Sequence, residues 1–294
     1  MRQKHSILHA LLRRYLWCSA LAAAGLLLAG SASWAADKKV EPAVRLLTSV
    51  PIPVTGGNTT NGMYSYDISY VDQATGVYFL ADRSNNAVES VTAESIVTQI
   101  RPTGAHPPFA GFTPCGTGDG NPPMPGANDC AGPNGVVAAF PFLFVTDAPS
   151  RVLSFDLRFN PPQTVGDCMT MPGDPTRADE LAYDPTDGLI LAINNVQFPG
   201  HPPYGTLVKV DQTTGALTCG MNIPFTAANH VDAQNGAEQP VWDPGTKKFY
   251  VSIPQIGANP TVGGVIRIST TGTIETTFPI TFCSPAGLAL GPKN

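Results

Sequence analysis

Three carboxylates stand at one fixed distance from a later aspartate: Asp67 lies five residues before Asp72, Asp179 five before Asp184, and Glu238 five before Asp243. Asn134 comes near the same level in a stretch without that later aspartate, and Asp82, Asp147 and Asn194 recur at a second level further along. Glu180, next to Asp179, can turn toward or away from this row. Carboxylate and amide oxygens suit a hard divalent cation, and Ca²⁺ takes roughly six to eight of them. Asp67, Asn134, Asp179, Glu180, Asn194 and Glu238 are therefore the candidate metal ligands, with Ca²⁺ as the candidate cofactor. The competing expectation is a ring of solvated acids that bond neighbouring loop amides and hold no ion.

Other chemistry is less complete. His230 and Asp232 offer a general base and its orienting acid. No Ser stands in a Gly-x-Ser-x-Gly turn for them to serve. Gly116-Thr117-Gly118-Asp119-Gly120 has the glycines of a phosphate or Ca²⁺ loop, yet it lacks a Lys-Ser/Thr ending and a regular Asp spacing. It reads as an inserted surface loop. No Cys-x-x-Cys pair or His/Cys cluster at zinc-ligand spacing is present.

The elements that must carry these residues are strands. The chain has 29 glycines and 29 prolines, and short β-branched or aromatic stretches bounded by Asp, Asn, Gly and Pro. Tyr70 to Leu80, Ala182 to Ala192 and Val241 to Val251 align as apolar strand, Asp-led turn and second apolar strand. The Asp side chain bonds turn amides and Pro or Gly sets the dihedrals, so each stretch is an expected β-hairpin. A third strand is expected at Ala87 to Val91, Thr206 to Val210 and Gly264 to Ser269. A fourth unit lacks the Asp turn but keeps Phe144 to Asp147 and Arg151 to Phe155. A unit of this kind cannot bury both faces of its own sheet, so copies must stack around an axis. The expected fold is all-β, a β-propeller of four-stranded blades, against the plainer alternative of a β-sandwich. Propeller topology would bring the row of acids together at the mouth of a central channel.

Asp67 to Asp72, Tyr78 to Asn86, Arg177 to Pro185 and Ala286 to Pro292 resemble exported microbial β-propellers of the YVTN-like and gluconolactonase-like type. The resemblance runs from about Tyr66 onward. It implies further blades beyond the Ala286-Gly287-Leu288-Ala289-Leu290 strand, so the chain is expected to hold four blades and the first strand of a fifth, as a C-terminally truncated or shortened relative. It also implies a divalent ion held by Glu, Asn and Asp that polarises a lactone carbonyl and activates water. Two functions follow from the sequence: a propeller that binds a small molecule or protein at its channel mouth without catalysis, or a metal-dependent hydrolase of lactones or esters.

Arg2, Lys4, Arg13 and Arg14 precede the apolar run Tyr15 to Gly30, which ends in Ser31-Ala32-Ser33-Trp34-Ala35. That is the pattern of a secretory signal peptide over residues 1–35, exported by the general or the twin-arginine route. Residues 36–65 are expected as an N-terminal segment with a candidate closing strand, and 66–294 as the propeller. The leader carries four of the 17 basic side chains and none of the 22 acidic ones, which leaves an acidic mature chain without a basic cluster. Nucleic acid and anionic lipid are not expected as partners on that ground, and no membrane span is expected after cleavage. A periplasmic or secreted location suits disulfides. Cys115 with Cys130 and Cys168 with Cys219 is the simplest pairing, leaving Cys283 over; spacing alone leaves the connectivity open.

Overall fold

The computed structural model describes residues 46–291 except 56, 57, 59, 113–126 and 196–201. The expected leader and Cys115 lie outside these residues. Among the described residues, sixteen strands form four antiparallel sheets, each a meander whose strands pair in chain order. The first sheet holds β1 (Ser69–Val71), β2 (Tyr78–Asp82), β3 (Ala87–Val91) and β4 (Val97–Ile100). The second holds β5 (Val136–Ala139), β6 (Phe142–Asp147), β7 (Arg151–Asp156) and β8 (Gln163–Met169). β9 (Leu181–Asp184), β10 (Leu189–Asn194), β11 (Tyr204–Val210) and β12 (Leu217–Pro224) make the third. β13 (Pro240–Asp243), β14 (Lys248–Ile253), β15 (Val262–Ile268) and β16 (Ile274–Thr281) make the fourth. These are the four blades of a β-propeller.

Turn chemistry fixes the hairpins where the sequence placed them. Asp72 accepts from Thr75 Oγ1 at 2.6 Å, Asp184 from the Thr186 amide at 2.8 Å, and Asp243 from the Gly245 amide at 2.8 Å. Each turn then closes through a positive φ, at Gly76, Gly188 and Lys247. The second blade makes its hairpin without the aspartate, through the shorter loop Phe140-Pro141.

Apolar faces meet between successive blades. Phe79, Ala81, Val88 and Ile100 of the first blade pack on Leu143, Val145, Leu153 and Phe155 of the second. Phe144 and Val152, on the opposite face of that second sheet, meet Leu181, Ile190 and Val208. Leu191, Ile193 and Ile223 then meet Phe249, Val251, Ile253 and Ile266. β6 and β7 are buried along their whole length because a neighbour covers each face, and burying one such Phe or Leu contributes roughly 1.5–3 kcal/mol. Cys168 on β8 and Cys219 on β12 form a disulfide between the outer strands of blades 2 and 3. Cys130 is also disulfide-bonded, and Cys283 is free.

Two expected strands take another form. Residues 46–65, as far as they are described, form no strand, and Pro51 and Pro53 lack the amide a ladder needs. Pro53 instead accepts from Gln99 Nε2 at 2.7 Å, and Thr55 donates to Asn85 Oδ1 at 3.1 Å, laying this segment against the first blade. Ala286 to Leu290 runs where the inner strand of a fifth blade would start. Ala286 O accepts from the Gln239 amide at 3.3 Å and from Ser252 Oγ at 2.6 Å. No second strand pairs with it among the described residues, so it is extended chain without a ladder.

Candidate metal centre

Backbone pairing puts the sequence-predicted acids at one level. The amides of Asp67, Asn134, Asp179 and Glu238 donate to Ala81, Thr146, Ile193 and Ser252 at 2.9, 2.9, 2.7 and 2.9 Å, the equivalent carbonyl on the second strand of each blade. Four successive inner strands therefore begin with an acid or amide at the same height. Ladder register, not side-chain attraction, assembles this ring.

Within it, carboxylate oxygens of Asp179, Glu180 and Glu238 all lie within 4.8 Å of one another. Asp179 and Glu180 are buried and Glu238 is partly exposed. Two arginines bind the acids and the amide of this ring. Arg83, in the turn between β2 and β3, donates through Nε to Asn134 Oδ1 at 2.9 Å, pairs through Nη2 with Asp67, and lies 3.8 Å from Asp179 Oδ1. Arg177 donates to Asp179 Oδ2 at 2.8 Å and to Asp129 Oδ1 at 3.1 Å. Asn134 also donates from Nδ2 to Ala178 O at 2.8 Å.

The remaining candidates lie apart. Asn194 is taken up by Thr170 Oγ1 and Ser150 Oγ, both at 2.9 Å, and by Arg177 O at 3.1 Å, so its amide ties loops together and does not join the trio. Asp82 holds Asn85, and Asp147 holds Arg151 and the Ala110 amide. Asp232 accepts from Gln234 Nε2 at 2.6 Å, and His230 faces a surface groove beside Met221 and Ile274; the base-and-acid pairing expected of these two does not form. Arg83, Arg177 and Asp129 are site residues that the sequence reading did not single out. One signal for Arg177 was available: residues two apart in extended chain share a side, so Arg177 had to lie beside Asp179.

The electrostatics follow from burial. Burial first, then Asp179, Glu238 and Asp67, push the Glu180 carboxyl up to about 9, against the pull of Arg177. Glu238 is raised to about 7 by burial and by Asp179. Asp67 is raised to about 7 by burial and Asp179, with Arg83 and Arg177 opposing. Burial alone would lower Arg177, but Asp179, Asp67 and Asp129 outweigh it and hold the guanidinium above its ordinary value. Glu180 Oε2 is buried and has no hydrogen-bond partner among the described residues. A buried acceptor in that position needs a proton or a cation. Three carboxylates with one buried oxygen open to coordination fit a hard divalent ion, and the partly exposed Glu238 leaves a side from which water can complete the shell.

No known sequence family matches the chain, and no curated protein matches it in sequence. Solved structures do match its fold. A periplasmic gluconolactonase from Pseudomonas aeruginosa aligns at 14% identity and a TM-score of 0.53, over 82% of this chain and 61% of that one. Virginiamycin B lyase from Staphylococcus aureus aligns at 11% identity and 0.47, over 76% and 57%. The Dos1 propeller aligns at 14% identity and 0.47, over 72% and 49%. The chain thus spans less than two thirds of the length of each of these structures, and the likeness is one of fold.

Proposed function

We propose that this chain is a ligand-binding β-propeller that holds a divalent cation, Ca²⁺ foremost, between Asp179, Glu180 and Glu238. The observation that carries this reading is the convergence of the three carboxylates around Glu180 Oε2, a buried oxygen without a hydrogen-bond partner among the described residues. Without an ion, Glu180 keeps a proton at neutral pH. An ion replaces that proton and neutralises the trio, so calcium uptake should release protons and tighten as pH rises toward 9. Arg177 and Arg83 hold Asp179, Asp67 and Asn134 in place around it. A small molecule with a carbonyl or anionic oxygen is the ligand such an ion would present at the mouth.

Calorimetric titration of the purified protein with Ca²⁺ tests this. One binding site per chain is expected, weakened at least about tenfold by Glu180→Gln or Glu238→Gln, since each removes a charged ligand. Absence of calcium binding by the unsubstituted protein would sink the proposal.

A second reading, hydrolysis of a lactone or ester, is favoured by Asp67. A bound divalent ion can polarise a carbonyl oxygen and lower the pKa of bound water. Asp67 lies outside the trio yet next to Asp179, and its carboxyl sits near 7, where a general base works best. Its role would be to accept the proton of the attacking water. Aldonolactone opening followed by acid release, with and without chelator, should then show metal-dependent turnover that Asp67→Asn lowers by about 100-fold; calcium binding with no turnover leaves the binding function alone standing.

A further inference from the structure

At their inner ends, blades 1, 2 and 3 are tied to one another by direct polar bonds. Arg83 of blade 1 donates at 2.9 Å to Oδ1 of Asn134, at the entry of blade 2, and lies 3.8 Å from Asp179 Oδ1, at the entry of blade 3. Asn134 Nδ2 donates to Ala178 O at 2.8 Å, and Thr146 Oγ1 of blade 2 donates to Asp179 O. Blade 4 enters differently. Glu238 stands where Asp67, Asn134 and Asp179 stand on the other blades, with the equivalent backbone bond behind it, yet no arginine or lysine pairs with it among the described residues. What it meets is the pair of carboxylates on Asp179 and Glu180, within 4.8 Å.

Beneath this level apolar packing joins the two sheets, with Leu191 and Ile193 of blade 3 against Val251 and Ile253 of blade 4. The entry segment of blade 4, Gly236 to Gln239, has less to hold it. Its backbone bond to blade 3 runs from the Ala237 amide to Asn195 O at 3.4 Å, beyond the usual range for such a bond. Gly236 adopts a φ of +80°, and a Cβ there would lie 2.8 Å from Asn195 O, so glycine brings this segment against blade 3 at the place where three carboxylates converge. Like charges at that separation oppose the contact, and a divalent cation between them turns repulsion into attraction. Glu180 Oε2, buried and without a hydrogen-bond partner among the described residues, is an acceptor that such an ion satisfies. Asp179 and Glu180 immediately precede β9 and Glu238 lies two residues before β13, so an ion on all three is bonded to two blades at once.

We propose that the cation fastens the entry segment of blade 4 to blade 3, doing between those blades what Arg83 does among blades 1, 2 and 3. The inference rests on the cation site proposed above and adds a structural consequence to it: uptake of the ion orders Gly236 to Gln239 and leaves the other inner ends as they were.

The equivalent amides of Asp67, Asn134, Asp179 and Glu238 provide the test. Their exchange with deuterium is followed residue by residue by NMR, first with chelator and then with saturating Ca²⁺. Calcium should slow exchange at Glu238 and Ala237 by about tenfold or more, and at Asp67 and Asn134 by less than about twofold, because it closes a local opening and not the whole fold. Glu238→Lys puts the cation on the side chain itself, so the amide at 238 should be protected without calcium and indifferent to it, while unchanged exchange at Asp67 and Asn134 shows that this variant is folded. Equal slowing at all four amides overturns the proposal. So does a Glu238 amide that calcium leaves unchanged while calorimetry records binding, or rapid exchange at 238 in a folded Glu238→Lys variant; the cation site itself survives all three results. Absence of calcium binding by calorimetry removes the site and this inference together.

Discussion

At Asp179 a buried carboxylate meets two guanidiniums, and the pairing runs between blades. Arg83 belongs to blade 1, Asn134 to blade 2, and Asp179 to the first residues of blade 3. Charges so far from water are tolerable because each contacts an opposite charge in good geometry. Glu89 shows the opposite case. It is buried on β3, accepts from Gln99 at 2.7 Å, and faces the Asp82 carboxyl; burial above all, then Asp82, raises it to about 7 against the Gln99 hydrogen bond. Its folded value exceeds its unfolded one, so its contribution to stability is complete below about 4.5 and is lost as pH rises through about 7. Glu89→Gln keeps the shape without the titration. Its melting temperature should match that of the unsubstituted protein near pH 4 and exceed it by a few degrees near pH 8; equal melting temperatures at both would show that the carboxyl is not buried as described. Of the metal trio, Asp179 and Glu238 were legible by counting back from the turn aspartates, and Glu180 was visible beside them. Arg83 was not, because its partners Asp67 and Asn134 are 16 and 51 residues away and only the stacked fold joins them, and the bond of Arg177 to Asp129 spans 48 residues even though its bond to Asp179 spans two.

At the level of single elements, the hairpins were readable because an Asp-led turn is a local device. Asp72, Asp184 and Asp243 fix both the reversal and the register without help from the rest of the chain. Strand ends and loops were less so. The candidate closing strand contains prolines at 51 and 53 and became a strap, and Ala286 to Leu290 has no ladder partner among the described residues. The Cys168–Cys219 disulfide is a covalent tie between two blades. It joins β8 to β12 across 51 residues, and cross-linking a loop of that length removes unfolded-state entropy worth roughly 4 kcal/mol by the chain-entropy estimate. Replacing both Cys168 and Cys219 by Ser should lower the free energy of urea unfolding by about 2–4 kcal/mol without altering calcium binding, since neither residue touches the acidic trio. A loss of stability well under 1 kcal/mol would mean the unfolded chain already keeps these strands together.

Across the whole molecule, apolar packing is a sum over neighbours, because each hydrophobic cluster joins successive blades, while the acids and arginines at the inner ends reach from blade 1 to blade 3. Blades 2 and 3 are covered on both faces and blade 4 on one, so opening should be least frequent in the middle of the stack. Hydrogen exchange should show the amides of β6 and β10 protected most and those of β16 least. Uniform protection across all four sheets would contradict a neighbour-by-neighbour stack. The repeat itself was visible in the sequence, since copies of one hairpin recur in register, whereas the contact of Arg83 with Asp179 between blades 1 and 3 was not, because only the stacked fold brings those loops together. The common hydrogen bond made by Asp67, Asn134, Asp179 and Glu238 has one more consequence. Each backbone is anchored through its amide, so the side chain at that site is free of any duty to the ladder. Asp67, Asn134 and Asp179 still carry buried bonds to Arg83 and Arg177, so the partly exposed Glu238 is the socket where a single codon change can alter affinity or selectivity while the scaffold beneath stays as it was.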